Sequence, residues 1–158
     1  MQTQAAGRKV ICAGNGASAA ISSHAAVDFT KTAGIRSVNF NEADLITCFA
    51  NDHGYENWVK VALEHYADDG DLLILVSSSG KSPNMLRAAE YATSRGITVV
   101  TCTGFAENNP LKSLGDLNLW ANSSVYNIVE NAHQFWLCAA CDLVAAVKET
   151  QVPQVASI

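Results

Sequence analysis

Short apolar runs alternate with helix-forming segments along most of the chain, and this alternation limits the possible folds more than any other feature. The clearest run is Asp71–Val76, whose apolar residues follow one another directly, as in a strand buried on both faces of a parallel sheet. Further strands are predicted over 8–13, 37–40, 97–102 and 117–120. Helices are predicted between the strands, over 18–31, 42–50, 55–67, 83–95 and 126–148, with a helical turn over 108–114. This order predicts an α/β fold with a parallel sheet and helices on both of its faces.

The size and composition of the chain fit one domain. The 158 residues are 49% hydrophobic and 16% charged, which excludes a disordered chain and allows a buried core. We expect a single domain over residues 1–148 and a flexible tail over 149–158, where no hydrophobic periodicity remains. The net charge of −5 does not favour direct binding of nucleic acid. An anionic ligand would therefore have to be held locally, by backbone N–H groups and hydroxyls.

The chain shows no targeting or membrane-spanning segment. The residues before the first predicted strand are polar, and no apolar run approaches the ~18 residues of a membrane span. The number of cysteines is odd, at five, and their surroundings are mostly apolar, which indicates reduced thiols. We therefore expect a cytoplasmic protein with no membrane partner.

The loop Gly14–Ser18 follows the first predicted strand and is a candidate binding loop. Right-handed crossovers place all strand-to-helix loops at one edge of a parallel sheet, where ligands bind in such folds. Glycines let the backbone approach a ligand, and a helix N-terminus, with Ser18 as its expected cap, offers free N–H groups. The third glycine of GxGxxG and the acidic residue of dinucleotide sites are missing, which disfavours NAD binding. A simple strand-to-helix turn remains the alternative.

The loop Ser77–Ser82 carries four hydroxyls and one glycine between a buried strand and the start of a helix. Hydroxyls and helix-terminal N–H groups suit a phosphate monoester without requiring an arginine. The P-loop pattern GxxxxGK[ST] is not met, which disfavours hydrolysis of a nucleoside triphosphate. The alternative is a solvated serine-rich loop in which Ser82 caps the following helix.

Two predicted helices carry further polar side chains that could take part in chemistry. His24 and Asp28 share one helix face and could bind a metal, form an acid–base pair or make a polar stripe. Glu130, His133 and Cys138 lie together on the last helix. Cys138 and Cys141 have CxxC spacing but lie mid-helix in an apolar run, which disfavours a redox role.

Taken in this order, these loops resemble those of the sugar isomerase (SIS) domain family. More narrowly they resemble the phosphoheptose (sedoheptulose 7-phosphate) isomerases and the related DnaA initiator-associating protein. The resemblance runs from about Lys9 to Val144 and is carried by the motifs GNGASAAISSH, NDHGYE, DLLILVSSSGKSPN and ITVVTCTG. It implies a doubly wound parallel α/β sandwich, a three-layer flavodoxin-like fold, usually assembled as a homotetramer with active sites built from neighbouring subunits. Family members usually carry further helices before the first strand, so either an N-terminal segment is missing or the oligomer differs.

The resemblance also implies roles for individual residues of the loops. The phosphate loop of the family falls on Ser77, Ser78, Ser79 and Ser82. The sugar contacts of the family fall on Asn15, Gly16, Ala17, Ser18, Asn51 and Asp52. Lys81 stands where the family commonly has asparagine and adds a positive charge beside the phosphate.

The catalytic and metal-binding positions of the family are occupied by altered side chains. Asp28 stands in the place of the glutamate base, and Cys138 in the place of the catalytic histidine. Glu130 replaces a glutamine that binds metal and lines the substrate site, while His24 matches the family's metal-site histidine. His24, Asp28, Glu130 and Cys138 are all competent zinc ligands, so the resemblance implies a zinc site. His133 could assist at the carbonyl oxygen.

The resemblance implies aldose–ketose isomerisation of sedoheptulose 7-phosphate through an enediol, with Asp28 as the base. Aspartate is one methylene shorter than glutamate, and cysteine is a poor general acid beside histidine. The alternative is a catalytically inactive SIS module that binds a phosphosugar effector or a protein partner. A different sugar phosphate is a third possibility, because Lys81 and Asp28 alter the pocket.

Overall fold

A computed structural model describes residues 2–151 and contains one sheet of five parallel strands. The strands are β1 (Val10–Gly14), β2 (Ser37–Asn39), β3 (Leu72–Ser77), β4 (Thr98–Thr103) and β5 (Leu117–Trp120). The helices are α1 (Gln2–Ala5), α2 (Ala17–Lys31), α3 (Ala43–His53), α4 (Trp58–Tyr66), α5 (Pro83–Ser94) and α6 (Tyr126–Gln151). A 3₁₀ helix, Pro110–Leu114, precedes β5. This architecture confirms the predicted α/β fold.

The strand order predicts that a binding site lies at the carboxyl ends of β1 and β3. The strands lie in the order β2-β1-β3-β4-β5, so the chain moves outward in one direction after β1 and in the other after β3. Gly14 at the end of β1 is paired with Val76 near the end of β3. In doubly wound sheets a crevice opens outside the carboxyl ends of the two strands where the order reverses.

The sheet has a hydrophobic core on each face, as the apolar strands predict. On β1, Ile11 and Ala13 pack with α4 and α5, while Val10 and Cys12 pack with α2 and α6. Successive side chains of a strand point to opposite faces, so a strand between two helical layers must be apolar at every position. The two cores fix the helices on both sides, and with them the loops at the carboxyl edge.

The first turn of α2 differs from the prediction. The helix begins at Ala17 and not at Ser18, and the preceding Gly16 has a φ of 56° with no side-chain cap. A Cβ on Gly14 would lie 2.6 Å from the backbone carbonyl of Ser18, so the missing side chain lets the helix start directly against the strand. Ser18 is therefore a buried residue of the first turn and not a cap.

The helix predicted over 42–50 extends further than expected, into the segment that separates it from the next predicted helix. Helix α3 continues through Asn51, Asp52 and His53, and it ends at Gly54, whose φ is 85°. Short polar residues are tolerated in a last helical turn, whereas a glycine with positive φ ends a helix at little cost. The stop signal was therefore the glycine and not the polar residues before it.

The last helix is longer than predicted. Helix α6 continues to Gln151, three residues beyond the expected boundary at Lys148. The Lys148 ammonium donates a hydrogen bond to the carbonyl of Ala33, which holds this end of α6 against the segment after α2. The rest of the predicted tail, 152–158, lies outside the described residues. None of the helices in the described part of the chain combines the length and the apolar character that crossing a bilayer requires.

Candidate functional site

A cavity of about 180 Å³ lies at the carboxyl edge of the sheet, between the loops after β1 and β3. The first turns of α6 close its third side. Its walls are formed by Asn15, Ser18, Val76, Ser77, Ser78, Ser79, Ser82, Tyr126 and Glu130. The loops after β1 and β3 therefore meet at one edge of the sheet, as the handedness of the crossovers predicts.

The loop after β3 presents unusually free hydroxyls to this cavity. Ser82 precedes α5, but its side chain makes no capping hydrogen bond, and its Oγ lies 3.5 Å from that of Ser77. Ser79 Oγ accepts a hydrogen bond of 3.2 Å from the N–H of Lys81 and remains only partly buried. Ser78 Oγ is buried and has no partner among the described residues. A buried hydroxyl without a partner is costly, so this loop is built to be completed by a further acceptor or donor.

The electrostatics of the cavity suit an anion held by hydrogen bonds. No lysine or arginine forms part of its wall within the described chain, and Lys81 is exposed beside the loop. Helices α2 and α5 both begin at this edge, and the N-terminus of a helix carries free N–H groups and a partial positive charge. Hydroxyls together with helix N-termini are a recognised way to bind phosphate.

Asn84 belongs to the site, although the sequence analysis assigned it no role. Its amide Nδ2 donates to Asn15 Oδ1 at 2.8 Å, and Asn15 Nδ2 donates to Asn84 Oδ1 at 2.9 Å. Tyr55 adds a hydrogen bond from its hydroxyl to Asn15 Oδ1 at 3.1 Å. Asn84 is only 1% exposed, so this reciprocal pair ties the β1 loop to the start of α5. A polar residue in the first turn of a helix after a binding loop was the available signal.

Three of the four proposed metal ligands lie together on α2 and α6. One ligand atom each from His24, Asp28 and Cys138 lies within 4.8 Å of the others. His24 Nε2 lies 3.0 Å from Asp28 Oδ2, and Cys138 Sγ accepts a hydrogen bond of 3.0 Å from Gln134 Nε2. An imidazole, a carboxylate and a thiol are donors that suit zinc, and three protein ligands leave a position open. The side chains present therefore fit the metal.

Glu130 lies between this cluster and the serine cavity. It is not a member of the three-residue cluster, but it lines both the cavity and an open groove of about 580 Å³ between α2 and α6. The same groove is lined by Ala17, His24 and Cys138. The groove and the cavity thus share one wall, and a ligand could extend from the serine loop towards the cluster.

Several predicted site residues do not reach the cavity. Asn51 and Asp52 are exposed in the last turn of α3, where Asn51 Nδ2 donates to Asp52 Oδ1 at 2.8 Å. Neither they nor the exposed Gly16 form part of the cavity wall. Asp28 contacts His24 but lines neither the cavity nor the groove.

His133 is also placed away from the cavity. Its ring is 0% exposed and its Nε2 lies 3.0 Å from the carbonyl oxygen of Thr103. Burial lowers the pKa of His133 below its ordinary value of 6.5, with the hydrogen bond to Thr103 opposing that shift. Within this chain the structure therefore gives His133 a role in packing and not a position from which it could assist at a carbonyl.

The class of protein follows from this fold and from a family match. Residues 1–104 match the model of the SIS domain. The chain therefore belongs to the SIS domain family.

Within this family, the chain is similar to phosphoheptose isomerases. The phosphoheptose isomerase of Burkholderia pseudomallei (strain K96243) is 34% identical over 148 residues, which cover 89% of this chain and 74% of that protein. The solved structure of a phosphoheptose isomerase from Neisseria gonorrhoeae superposes with a TM-score of 0.85 at 24% identity, covering 92% of this chain and 80% of that one. An Escherichia coli CFT073 protein solved in complex with A5P has a TM-score of 0.69 at 17% identity, covering 92% and 73%. The resemblance to phosphoheptose isomerases drawn from the loop motifs is confirmed.

Proposed function

We propose that this chain is a phosphosugar isomerase that interconverts aldose and ketose forms of a heptose phosphate, with sedoheptulose 7-phosphate as its substrate. The observation that carries the proposal is the cavity at the edge between β1 and β3, walled by the hydroxyls of Ser77–Ser82. Two similarities support the same conclusion. The sequence is 34% identical to that of a phosphoheptose isomerase, and the fold is shared with a protein solved in complex with A5P.

The substrate is held at its phosphate by groups of this chain. Ser77, Ser79 and Ser82 donate hydroxyl hydrogen bonds, and the N-terminus of α5 supplies N–H groups. Asn15, fixed by Asn84 on one side, presents the β1 loop to the sugar. With the phosphate anchored there, the carbon chain extends past Glu130 along the groove towards His24 and Cys138.

The reaction needs a base that moves a proton between adjacent carbons and a group that stabilises charge on the carbonyl oxygen. Asp28 is the proposed base, and its contact with His24 at 3.0 Å fixes the direction of the carboxylate. Without a metal, Cys138 is the proposed proton donor on the opposite helix; as a zinc ligand it would be a thiolate with no proton to donate. His24, Asp28 and Cys138, with Glu130 beside them, are the residues that would hold zinc. A bound zinc ion would supply Lewis-acid polarisation of the carbonyl.

A non-enzymatic module is the second candidate, and one observation favours it. Asp28 lines neither the cavity nor the groove, so the proposed base is set back from the surfaces that a sugar bound at the serine loop would contact. Such a module would bind a phosphosugar effector or a protein partner through the same serine loop. The two candidates differ in turnover and agree in phosphate binding.

The deciding experiment incubates the pure protein with a panel of sugar phosphates, with and without zinc, and follows the products by NMR. Conversion of sedoheptulose 7-phosphate to an aldose supports the isomerase. Binding without conversion of any sugar phosphate supports the module. Ser79→Ala and Ser82→Ala should each weaken binding by about 1–3 kcal/mol, the cost of losing a hydrogen bond to a charged group. Ser94→Ala, at an exposed serine on the last turn of α5, is the matched control.

Zinc is tested separately by metal analysis of dialysed protein. We expect about one zinc per chain in the parent and close to none in the double variant His24→Ala, Cys138→Ala. Cys48→Ala removes an exposed cysteine outside the cluster and should leave the zinc content unchanged. A parent that takes up no zinc from a metal-containing buffer would remove the metal from the mechanism.

We also propose that the chain acts as a homo-oligomer in the cytoplasm, a tetramer by family resemblance. Helix α6 exposes large apolar side chains, with Ile128, Phe135 and Leu143 at 58%, 70% and 67%. A stripe of this kind normally marks an interface. Light scattering should report an oligomer in the parent and a smaller species for Phe135→Glu. A parent that is monomeric at micromolar concentration would contradict the assembly.

The proposed cytoplasmic location is supported by the five free thiols, which fit a reducing compartment.

A further inference from the structure

Asn109 lies wholly buried behind the serine loop, between β4 and the 3₁₀ helix. It is 0% exposed and immediately precedes Pro110–Leu114. Its Nδ2 donates to Thr103 Oγ1 at 3.2 Å and to the carbonyl of Ala106 at 2.9 Å, and its Oδ1 accepts from the N–H of Lys112 at 3.0 Å. Both ends of the amide are therefore used, which fixes its orientation.

The same amide lies directly against Gly80 at the centre of the serine loop. Gly80 has a φ of 62°, and a Cβ there would lie 1.9 Å from Asn109 Oδ1. The amide thus occupies the space that a side chain on Gly80 would need. The absence of a side chain at Gly80 lets the loop rest on Asn109.

Two backbone hydrogen bonds fasten the loop on either side of this contact. The N–H of Leu111 donates to the carbonyl of Gly80 at 3.1 Å, and the N–H of Gly104 donates to that of Ser78 at 3.0 Å. Both donors belong to the connection that Asn109 organises. The position of the loop therefore depends on the shape of the segment 104–112.

We propose that Asn109 is a positioning residue for the phosphate site. It is not one of the residues that line the cavity, and it acts by supporting Gly80 and so the direction of the hydroxyls at Ser79 and Ser82. The proposal rests on the phosphate binding assigned above to this loop. Under this proposal the affinity of the serine loop for phosphate depends on Asn109, which lies in the connection between β4 and β5.

A second role for Asn109, as the cap of the 3₁₀ helix, is separable from the first. Serine at this position keeps a side-chain oxygen for the N–H of Lys112 but empties the space beneath Gly80. If capping is the whole role, Asn109→Ser restores phosphate binding. If positioning is the role, Asn109→Ser recovers thermal stability relative to Asn109→Ala but does not recover affinity.

The matched control is Asn118 on β5. Its Nδ2 donates to Thr101 Oγ1 at 2.7 Å and to Thr103 Oγ1 at 3.1 Å, in the same part of the sheet. Among the described residues, the side chain of Asn118 makes no hydrogen bond to the serine loop. Asn118→Ala should lower Tm while leaving phosphate affinity within about twofold of the parent.

The experiment measures, by calorimetry, the Kd of each protein for inorganic phosphate and for sedoheptulose 7-phosphate. We expect Asn109→Ala and Asn109→Ser both to weaken binding about tenfold or more, as loss of well-directed hydrogen bonds to a charged group does. In an active parent, KM should rise with kcat nearly unchanged, because the phosphate lies away from the reacting carbons. Should Asn109→Ala fail to fold, the capped Asn109→Ser still decides the question.

A double-mutant cycle adds an independent measurement. Gly80→Ala should impair phosphate binding less in the Asn109→Ser protein than in the parent, because the amide that it would strike is gone. Strain from the positive φ is common to both backgrounds and cancels. Additive effects, or phosphate binding by Asn109→Ser within about twofold of the parent, would overturn the proposal. A parent that binds phosphate without turnover would refute the isomerase alone and leave this test intact.

Discussion

The buried His133 makes the stability of this protein depend on pH in a predictable direction. Its ring is 0% exposed, its Nε2 contacts the carbonyl of Thr103 at 3.0 Å, and its Nδ1 has no partner among the described residues. The neutral ring with a proton on Nε2 satisfies Thr103. A second proton on Nδ1 would place a charged donor in the core without an acceptor.

The magnitude follows from proton linkage. Burial lowers the pKa of His133 in the folded protein below the ordinary 6.5, so the unfolded chain binds a proton before the folded one does. The contribution to stability is fully present above pH 6.5 and is lost as the pH falls towards the folded pKa. Between pH 7.5 and 5.5 the free energy of unfolding should fall by on the order of 1 kcal/mol at most, because an ordinary pKa of 6.5 in the unfolded chain sets the limit.

The assay is urea unfolding at pH 7.5, 6.5 and 5.5, at one protein concentration, because assembly would otherwise shift the midpoint. His133→Gln keeps an N–H donor for Thr103 but cannot titrate, so its stability should change less with pH. His65→Gln is the control, because His65 is exposed on α4, with its ring centroid 5.9 Å from that of Phe49. An equal loss of stability in the parent and in His133→Gln between pH 7.5 and 5.5 would refute the reasoning.

Three further substitutions test the packing that holds the site in place. Asp71→Ala should destabilise the fold by about 1–3 kcal/mol in urea unfolding, since the N–H groups of Lys9 and Asp68 lose the buried carboxylate that accepts from them at 2.9 and 2.8 Å, and Lys9 keeps only its ion pair with Asp68; an unchanged urea midpoint would contradict this. Asn84→Ala should cost about 1–3 kcal/mol and weaken sugar-phosphate binding, because the half-buried amide of Asn15 loses both of its hydrogen bonds to Asn84 and keeps only the one from Tyr55; unchanged affinity in calorimetry would remove Asn84 from the site. Gly14→Ala should lower Tm sharply, because its Cβ would lie 2.6 Å from backbone in the first turn of α2, and a Tm equal to that of the parent would contradict the close approach.

Most of the fold was accessible from the sequence because it depends on patterns within single segments. A strand between two helical layers must be apolar throughout, and the strand predicted over Asp71–Val76, which is formed by Leu72–Ser77, was recognised for that reason. The meeting of the Gly14 and Ser77 loops followed from the handedness of the crossovers. These rules do not depend on which side chains pack against which.

The orientation of residues on α6 was not accessible in the same way. Phe135 is 70% exposed, whereas His133, two residues earlier, is wholly buried. Hydropathy alone predicts the reverse, because it places the aromatic ring inside and the imidazole outside. Asn84 and Asn109 were missed for a related reason, since the burial of an amide is decided by partners distant in sequence. Residues of this kind become visible only when the elements are packed.

The proposed phosphate site is walled mainly by uncharged donors, and such a site should respond unusually to ionic strength. Most anion sites weaken in salt because counterions screen the lysines and arginines that attract the ligand. Here Glu130 is the only carboxylate or cationic side chain on the described wall of the cavity, and the whole chain carries a net charge of −5. Screening reduces the repulsion from these negative charges together with the attraction of Lys81, which is exposed beside the loop, so added salt should change the affinity for a phosphate dianion little. Selectivity at such a site comes from the directions of hydrogen bonds, which salt does not alter.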